Sequence, residues 1–211
     1  LQLAALAGCG FITATLDYCL APRKNLRGLM RGRAMSAIEL GKHMEREISQ
    51  APAVFANRVT APVHLSPDLS DISAILTVAR GSSDAAANII SYEWMRHLGK
   101  PVTSLPPSIF SLGDGVSLKG AMCLLISQSG ASQDLVNSAI GAARQHAKVI
   151  SITNQATSLV QDAAHCNVPI DAGEEIAVPA TKTVIGSIAA GMATLAAFCP
   201  EYKENCNRAG D

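Results

Sequence analysis

The sequence predicts an α/β fold, a three-layer α-β-α sandwich around a mostly parallel sheet of about five strands. Strand-like and helix-like segments alternate along the chain from Ile72 onward. Several strand-like segments are unbroken runs of Val, Ile, Leu and Ala, which is typical of strands that are buried on both faces of a parallel sheet. Hydrophobic residues make up 48% of the 211 residues, which is enough to build a core.

The first predicted elements are a helix, a strand and a second helix. Apolar residues recur at helical spacing from Met35 to about residue 50, and Pro52 is expected to end that helix. Residues 72–79 form a continuous apolar run that is rich in β-branched side chains, which predicts a buried strand. Gly81 and the polar residues after it supply a turn and a helix N-cap, so a helix is expected over residues 85–98.

The strand–helix unit then repeats, because turn-forming residues again separate short apolar runs from longer segments with helical spacing. The further predicted strands are 101–105, 121–126, 149–153 and an edge strand at 168–170. The further predicted helices are about 133–146, 157–164 and 181–197.

The chain is predicted to contain one main domain with flanking segments. We expect residues 1–34 to be an N-terminal extension outside the fold, 35–68 a helical lead-in, 69–198 the main domain and 199–211 the truncated start of a next segment. The apolar N-terminal stretch is shorter than the roughly 20 residues that a membrane span needs. Its positive charges follow the stretch, whereas those of a secretory signal precede it. We therefore expect no membrane partner.

Composition argues against several classes of function. The 17 basic and 17 acidic residues give a formal net charge of +0, so no nucleic-acid partner is expected. The six cysteines form no C-x-x-C pair and have no histidine at zinc spacing, which favours a cytoplasmic protein with reduced thiols and no metal. The sequence contains neither a G-x-G-x-x-G motif nor a phosphate-binding G-x-x-x-x-G-K-[ST] motif, so no cofactor is expected.

Two loops that follow predicted strands carry the candidate binding groups. One contains Gly81, Ser82 and Ser83, and the other spans residues 127–132, with the sequence Ser-Gln-Ser-Gly-Ala-Ser. Ligands of open parallel sheets bind beyond the carboxyl ends of the strands, and the helix N-termini that lie there favour anions. These loops predict a phosphate site that requires no lysine. The same residue types are also typical of ordinary helix caps.

A third segment, residues 171–182, is an acidic loop that leads into a helix. Glu174 and Glu175 are able to bind a sugar hydroxyl or to accept a proton. The alternative interpretation is a solvated acidic turn with a helix cap, in which Lys182 is a surface charge.

Taken in order, these residues resemble the sugar isomerase (SIS) domain of the glucosamine-6-phosphate synthase group. Residues 43–52 are similar to that group's Met-x-x-Glu-Ile-x-x-Gln-Pro helix, with one residue inserted before the proline. Residues 79–83 are similar to its Gly-Ser-Ser phosphate loop, and 127–132 to its Ser-Gln-Ser-Gly-Glu-Thr loop. Residues 173–182 resemble Gly-Pro-Glu-x-x-Val-Ala-Ser-Thr-Lys. The resemblance covers about residues 35–198 and implies a flavodoxin-like or Rossmann-like sheet.

The resemblance also implies roles for individual residues. It assigns the phosphate of the substrate to Ser82, Ser83, Ser127, Gln128, Ser129 and Ser132. It places Gly81, Val178 and Lys182 near the sugar. Pro179 and Ala180 replace the Ala-Ser of the family motif, which removes a hydroxyl there. The catalytic base is not identified, and Glu175 is the one candidate for it.

The function implied is that of an amino-sugar-phosphate deaminase/isomerase or of an enzyme like glutamine-fructose-6-phosphate aminotransferase (isomerizing). Enzymes of the family have two SIS repeats, and the second provides the catalytic Glu, His and Lys. We expect this chain to be the N-terminal half, without the complete active site. Its expected partners are a phosphorylated sugar, such as glucosamine-6-phosphate or fructose-6-phosphate, and a second copy in a homodimer.

Two other functions are compatible with the same residues. One is a sugar-phosphate-sensing SIS domain of a regulator, which binds its ligand without turnover. The other is a phosphosugar isomerase made of one SIS domain.

Overall fold

The computed structural model describes residues 41–65 and 68–211. The extension predicted for residues 1–34 and the helix start predicted at Met35 lie outside this part of the chain. The centre of the fold is a parallel sheet of five strands in the order β2-β1-β3-β4-β5. The strands are β1 Ala74–Val78, β2 Val102–Ser104, β3 Ala121–Ser127, β4 Lys148–Thr153 and β5 Cys166–Pro169. The predicted fold class and the five predicted strands are confirmed.

Helices cover both faces of the sheet and complete the three layers. They are α1 Lys42–Thr60, α2 Ser82–Leu98, α3 Ser108–Ser111, α4 Gln133–Arg144, α5 Leu159–Asp162, α6 Lys182–Phe198 and α7 Lys203–Gly210. The first, second, sixth and seventh helices contribute to one core cluster, and the fourth and fifth contribute to the other. A short 3-10 turn, Pro200–Tyr202, links α6 to α7.

The core on each side consists mainly of aliphatic residues. On one face, Trp94 of α2 is 1% exposed and donates its indole N–H to the carbonyl of Gly191 in α6 at 3.1 Å. On the other face, Leu135 and Ala139 of α4 pack over β3 and β4. All seven residues of β3 are buried, as expected for the central strand of a parallel sheet.

The strand order reverses between β1 and β3. These two strands are direct neighbours, with Val78 opposite Leu125, although β2 lies between them in sequence. Their carboxyl ends therefore point to the same edge of the sheet. A reversal of this kind opens a crevice between the loops that follow the two strands, which is where open α/β sheets bind ligands.

The prediction that Pro52 ends the first helix is wrong. Helix α1 continues through Pro52 to Thr60. A proline inside a helix cannot donate a hydrogen bond to the carbonyl four residues earlier, here that of Ile48. Pro52 and Ile48 are both exposed, so water can reach this side of the helix. The helix is retained because Val54, Phe55 and Val59 pack into the core.

Two smaller differences concern helix boundaries. Helix α2 begins at Ser82, earlier than the predicted residue 85. Helix α3 was not predicted, because its residues, Ser-Ile-Phe-Ser, have too few positions to show a helical period. No described helix combines the length and apolar character that crossing a bilayer requires.

The segment after α6 packs back onto the domain. Tyr202 and Cys206 are each 1% exposed and belong to the same core cluster as Val59 of α1. Residues after α6 therefore contribute side chains to the core of the domain.

Candidate functional site

The loops after β1 and β3 meet and enclose a small cleft of about 170 Å³. We call it the serine cleft. The polar residues that line it are Arg80, Ser83, Ser127, Gln128, Ser129 and Ser132. The two loops converge because their strands are adjacent and parallel. The structure therefore brings together five of the six side chains to which the family resemblance gives a phosphate-binding role.

Hydroxyl groups in the cleft keep protons that they can donate. The Ser127 side chain is buried, and its Oγ accepts a hydrogen bond from the backbone N–H of Gly130 at 3.0 Å. The Oγ of Ser129 likewise accepts from the N–H of Ala131 at 3.3 Å. A serine that accepts in this way still has its own O–H to donate. The side chains of Ser83 and Ser132 form no hydrogen bond to any described residue, so their hydroxyls are available to a ligand.

The loop after β3, residues 127–132, depends on a glycine for its shape. Gly130 has φ of 59°, in the left-handed region that glycine adopts without steric strain. A Cβ at this position would clash with the side chain of Ser158. The loop can therefore follow its path only when residue 130 has no side chain.

Two helix N-termini face this edge of the sheet. Helix α2 starts at Ser82, and α4 starts after its N-cap residue Ser132. The N-cap of α4 makes no side-chain hydrogen bond to its own helix. Unpaired N–H groups and the aligned peptide dipoles at such ends favour a negatively charged group.

Arg80 is a residue of the cleft that was not predicted from the sequence. It lies between β1 and the Gly81 turn, and its Nη1 donates to Oδ2 of Asp134 at 2.9 Å. The side chain of Arg80 is 63% exposed and that of Asp134 is 24% exposed. The sequence signal was its position directly after a predicted strand, at the edge where ligands bind.

Ser82 does not line the serine cleft. It lines a larger cavity of about 1150 Å³, which we call the apolar cleft. Walls of this cleft come from α1, from the starts of α2 and α6, and from the C-terminal end of α7. They include Ile48, Phe55, Pro179, Thr181 and Val184. Ser82 and Ser83 are consecutive, so each of the two clefts has one lining residue in the first turn of α2.

The acidic segment before α6 is held by a buried carboxylate of α1. Glu47 is 4% exposed, and its Oε1 accepts the backbone N–H of Ile176 at 2.7 Å. Its carboxylate also accepts the N–H of Ala177, at 3.2 Å to Oε2. Asn154, just after β4, holds the start of the segment by accepting from the N–H of Ala172 at 2.9 Å. The family-like helix motif thus fixes the backbone beside the apolar cleft.

Glu175 caps the first turn of α6. Its Oε1 accepts the backbone N–H groups of Thr181 at 2.9 Å and Thr183 at 3.1 Å, and Oε2 accepts the Thr183 hydroxyl. Partial burial by itself raises the pKa of the Glu175 carboxyl, but the hydrogen bonds from Thr183 and Thr181 outweigh it and hold the pKa below its ordinary value. A general base for sugar chemistry works best with a pKa near neutrality. The geometry therefore favours the helix-cap interpretation of Glu175 over the role of base.

The three residues expected near the sugar lie in different surroundings. Gly81, with φ of 55°, forms the turn into α2. Val178 is 91% exposed, next to the residues that line the apolar cleft. Lys182 is only 5% exposed, and its Nζ donates to Oε1 of Gln50 in α1 at 2.8 Å. Because Lys182 is buried against α1, the interpretation of it as a surface charge is wrong.

A comparison with protein families matches most of the domain. The matching model is that of the SIS domain, and it covers residues 68–197. This range includes the loops that follow β1 and β3 and the segment before α6.

Among curated proteins, the chain is similar to glutamine–fructose-6-phosphate aminotransferase [isomerizing] of Methanothermobacter thermautotrophicus. The two are 29% identical over 170 residues, which is 78% of this chain and 28% of that protein. The chain therefore spans less than a third of the length of this relative.

Among solved structures, the chain is similar to a candidate phosphosugar isomerase from Silicibacter pomeroyi. The TM-score is 0.66 and the identity 35%, over 75% of this chain and 51% of that one. The fold is also that of the C-terminal domain of glucosamine-fructose-6-phosphate aminotransferase from Francisella tularensis, with a TM-score of 0.70 at 22% identity, over 79% of this chain and 53% of that one.

Proposed function

This chain belongs to the SIS domain family, and from that premise we propose that it binds a phosphorylated sugar, with the phosphate in the serine cleft. The observation that carries the proposal is the convergence of Ser83 with Ser127, Ser129 and Ser132 on one cleft of about 170 Å³. A cavity of this size suits a phosphate group, and hydroxyl and amide donors at two helix N-termini suit its negative charge.

The sugar itself would lie toward the apolar cleft. Ser82 lines that cleft and is consecutive with Ser83, so a phosphate beside Ser83 places the attached carbon chain next to Ser82. The volume of about 1150 Å³ exceeds what a hexose needs, which leaves room for a further protein element to close over the ligand.

We propose glucosamine-6-phosphate or fructose-6-phosphate as the ligand. The similarity to an isomerizing aminotransferase whose name includes fructose-6-phosphate supports this class. The enzyme to which the domain contributes is then an aminotransferase of this type or an amino-sugar-phosphate deaminase/isomerase, with this chain as the first SIS repeat.

The proton transfer of such a reaction needs a positioned base. Within the described residues, the acidic candidate Glu175 is occupied as a helix cap, and the cation Lys182 is held by Gln50. We propose that this chain binds the phosphosugar, and that groups outside the described residues carry out the proton transfer. The same observation favours a binding domain without turnover as the second candidate function.

A homodimer is the proposed assembly. Helix α2 presents Ile89, Tyr92 and Met95 on one face, with exposures of 55%, 73% and 37%. Exposed apolar side chains at helical spacing are typical of an interface between proteins. Sedimentation equilibrium measures the mass directly, and a monomer at all concentrations would refute the dimer.

Thermal unfolding with and without ligand tests the binding proposal. We expect fructose-6-phosphate or glucosamine-6-phosphate to raise the melting temperature, since a ligand that binds only the folded state stabilises it. Unphosphorylated fructose and glucosamine should give no shift. The double variant Ser83→Ala with Ser129→Ala should remove the shift, whereas Ser49→Ala, on the exposed side of α1, should keep it. A shift that persists in the double variant would place the site elsewhere.

A further inference from the structure

We propose that Arg80 is a cationic ligand of the bound phosphate and that Asp134 positions it. This inference rests on the proposed function and adds a residue to its site. The phosphate loops of the sequence were expected to act without a cation, but the structure places a guanidinium at the wall of the serine cleft. Arg80 and Asp134 join the loop after β1 to the first turn of α4.

The contact between the two residues leaves most of the guanidinium available. Only Nη1 of Arg80 donates to Asp134, at 2.9 Å, and the other N–H groups of the guanidinium make no hydrogen bond to residues in the described part of the chain. The side chain is 63% exposed. An arginine fork has enough donors to hold one carboxylate and to bind a phosphate oxygen at the same time.

The ion pair with Arg80 offsets the negative charge of Asp134 near the cleft. Its carboxylate lies in the first turn of α4, next to the end of the helix that faces the cleft. A carboxylate near a bound phosphate repels it, and the positive charge of Arg80 cancels this repulsion. Arg80 could thus act by direct contact with the phosphate or only by neutralising Asp134. The geometry points to direct contact, because Arg80 itself lines the cleft and Asp134 does not.

A double-mutant cycle separates these two roles. The four proteins are the wild type, Arg80→Gln, Asp134→Asn and the double variant, and the measurement is calorimetric binding of fructose-6-phosphate, with fructose as the ligand control. We expect Arg80→Gln to weaken binding at least tenfold with Asp134 intact, and by a smaller but still measurable factor with Asp134→Asn, because the guanidinium still contacts the phosphate but is no longer oriented by Asp134. Arg80→Lys should recover part of the loss, since it keeps the charge but not the planar fork.

Two further measurements check specificity. Arg96→Gln removes an exposed arginine of α2 that does not line the serine cleft, and it should bind as the wild type does. Binding by Arg80→Gln should also depend less on salt concentration than binding by the wild type, because one ion pair with the ligand is gone. Equal melting temperatures without ligand would show that the variants are folded.

The outcomes distinguish this inference from the proposed function. If Arg80→Gln weakens binding only when Asp134 is present, Arg80 acts as a shield and direct contact is refuted. If Arg80→Gln binds like the wild type while Ser83→Ala with Ser129→Ala does not bind, the inference fails and the proposed function stands. If the wild type itself does not bind fructose-6-phosphate, both fail.

Discussion

Ser82 and Ser83 are consecutive residues that line different clefts. Ser83 lines the serine cleft, together with the loop after β3, and Ser82 lines the apolar cleft, together with α1 and the start of α6. At the first turn of a helix, neighbouring side chains point about 100° apart, so one turn can serve two sites. The start of α2 is therefore the point at which a phosphate and the sugar attached to it would be held by adjacent residues.

This relationship predicts different effects for two similar substitutions. Ser83→Ala should weaken binding of fructose-6-phosphate about tenfold or more, since a hydrogen bond to a charged group contributes about 1.5–3 kcal/mol. Ser82→Ala should weaken binding of the sugar phosphate less and leave binding of inorganic phosphate unchanged. Calorimetric titration with both ligands measures this. Equal losses for the two variants with inorganic phosphate would show that both serines contact the phosphate.

The backbone of the second loop gives a prediction about Gly130. Gly130→Ala should lower the free energy of unfolding by about 2–4 kcal/mol, because strain at positive φ adds to a clash with Ser158. Gly99→Ala is the matched control, since Gly99 has a similar φ of 61° but nothing within 4 Å of a Cβ. It should cost about 1 kcal/mol. Urea unfolding measures both, and equal costs would contradict the clash.

The buried carboxylate of α1 gives a prediction about stability. Glu47→Ala leaves the N–H groups of Ile176 and Ala177 without their acceptor and should cost about 2–3 kcal/mol of unfolding free energy. Glu45→Ala, in the exposed first turn of the same helix, should cost less than about 1 kcal/mol. Chemical denaturation gives both values. A similar small effect of both substitutions would show that Glu47 does not hold the segment.

The cap formed by Glu175 gives a prediction about pH. The pKa of Glu175 in the folded protein lies below its ordinary value of 4.5, so its stabilising effect is complete above that value and is lost as the pH falls through the folded pKa. Glu175→Gln should therefore lower stability by about 1 kcal/mol at pH 7 and by less at about pH 3.

Urea unfolding at several pH values follows this difference between the wild type and the variant. Glu174→Gln, at the neighbouring exposed position, is the control and should show little effect at any pH. If the destabilisation by Glu175→Gln grows as the pH falls, the cap is not the ionised carboxylate.

Much of the fold was predictable because its central strands, β3 and β4, are buried on both faces. Such strands leave a continuous apolar run in the sequence, as in residues 121–126, and this run needs no partner to be recognised. The loops could be predicted as sites for the same reason, because they begin where those runs end. The strand order makes the loops after β1 and β3 neighbours, and no local sequence pattern predicts that order.

The contacts that position the site were not predictable from local patterns. Glu47 lies far along the chain from Ile176, and a carboxylate on a helix is usually a solvated charge. Arg80 was missed because the direction of a side chain just after a strand depends on the turn that follows. The prediction that Pro52 ends the first helix failed because helix propensity is a local preference, whereas the packing of α1 on α6 is a tertiary effect.

The burial of β3 over its whole length has a consequence for how the domain recognises its ligand. Ser127 is the last residue of that strand, so this hydroxyl is held at the end of a fully buried strand before any ligand arrives. A receptor that is already assembled loses little conformational entropy on binding. Binding of the phosphate should then need no slow rearrangement of Ser127.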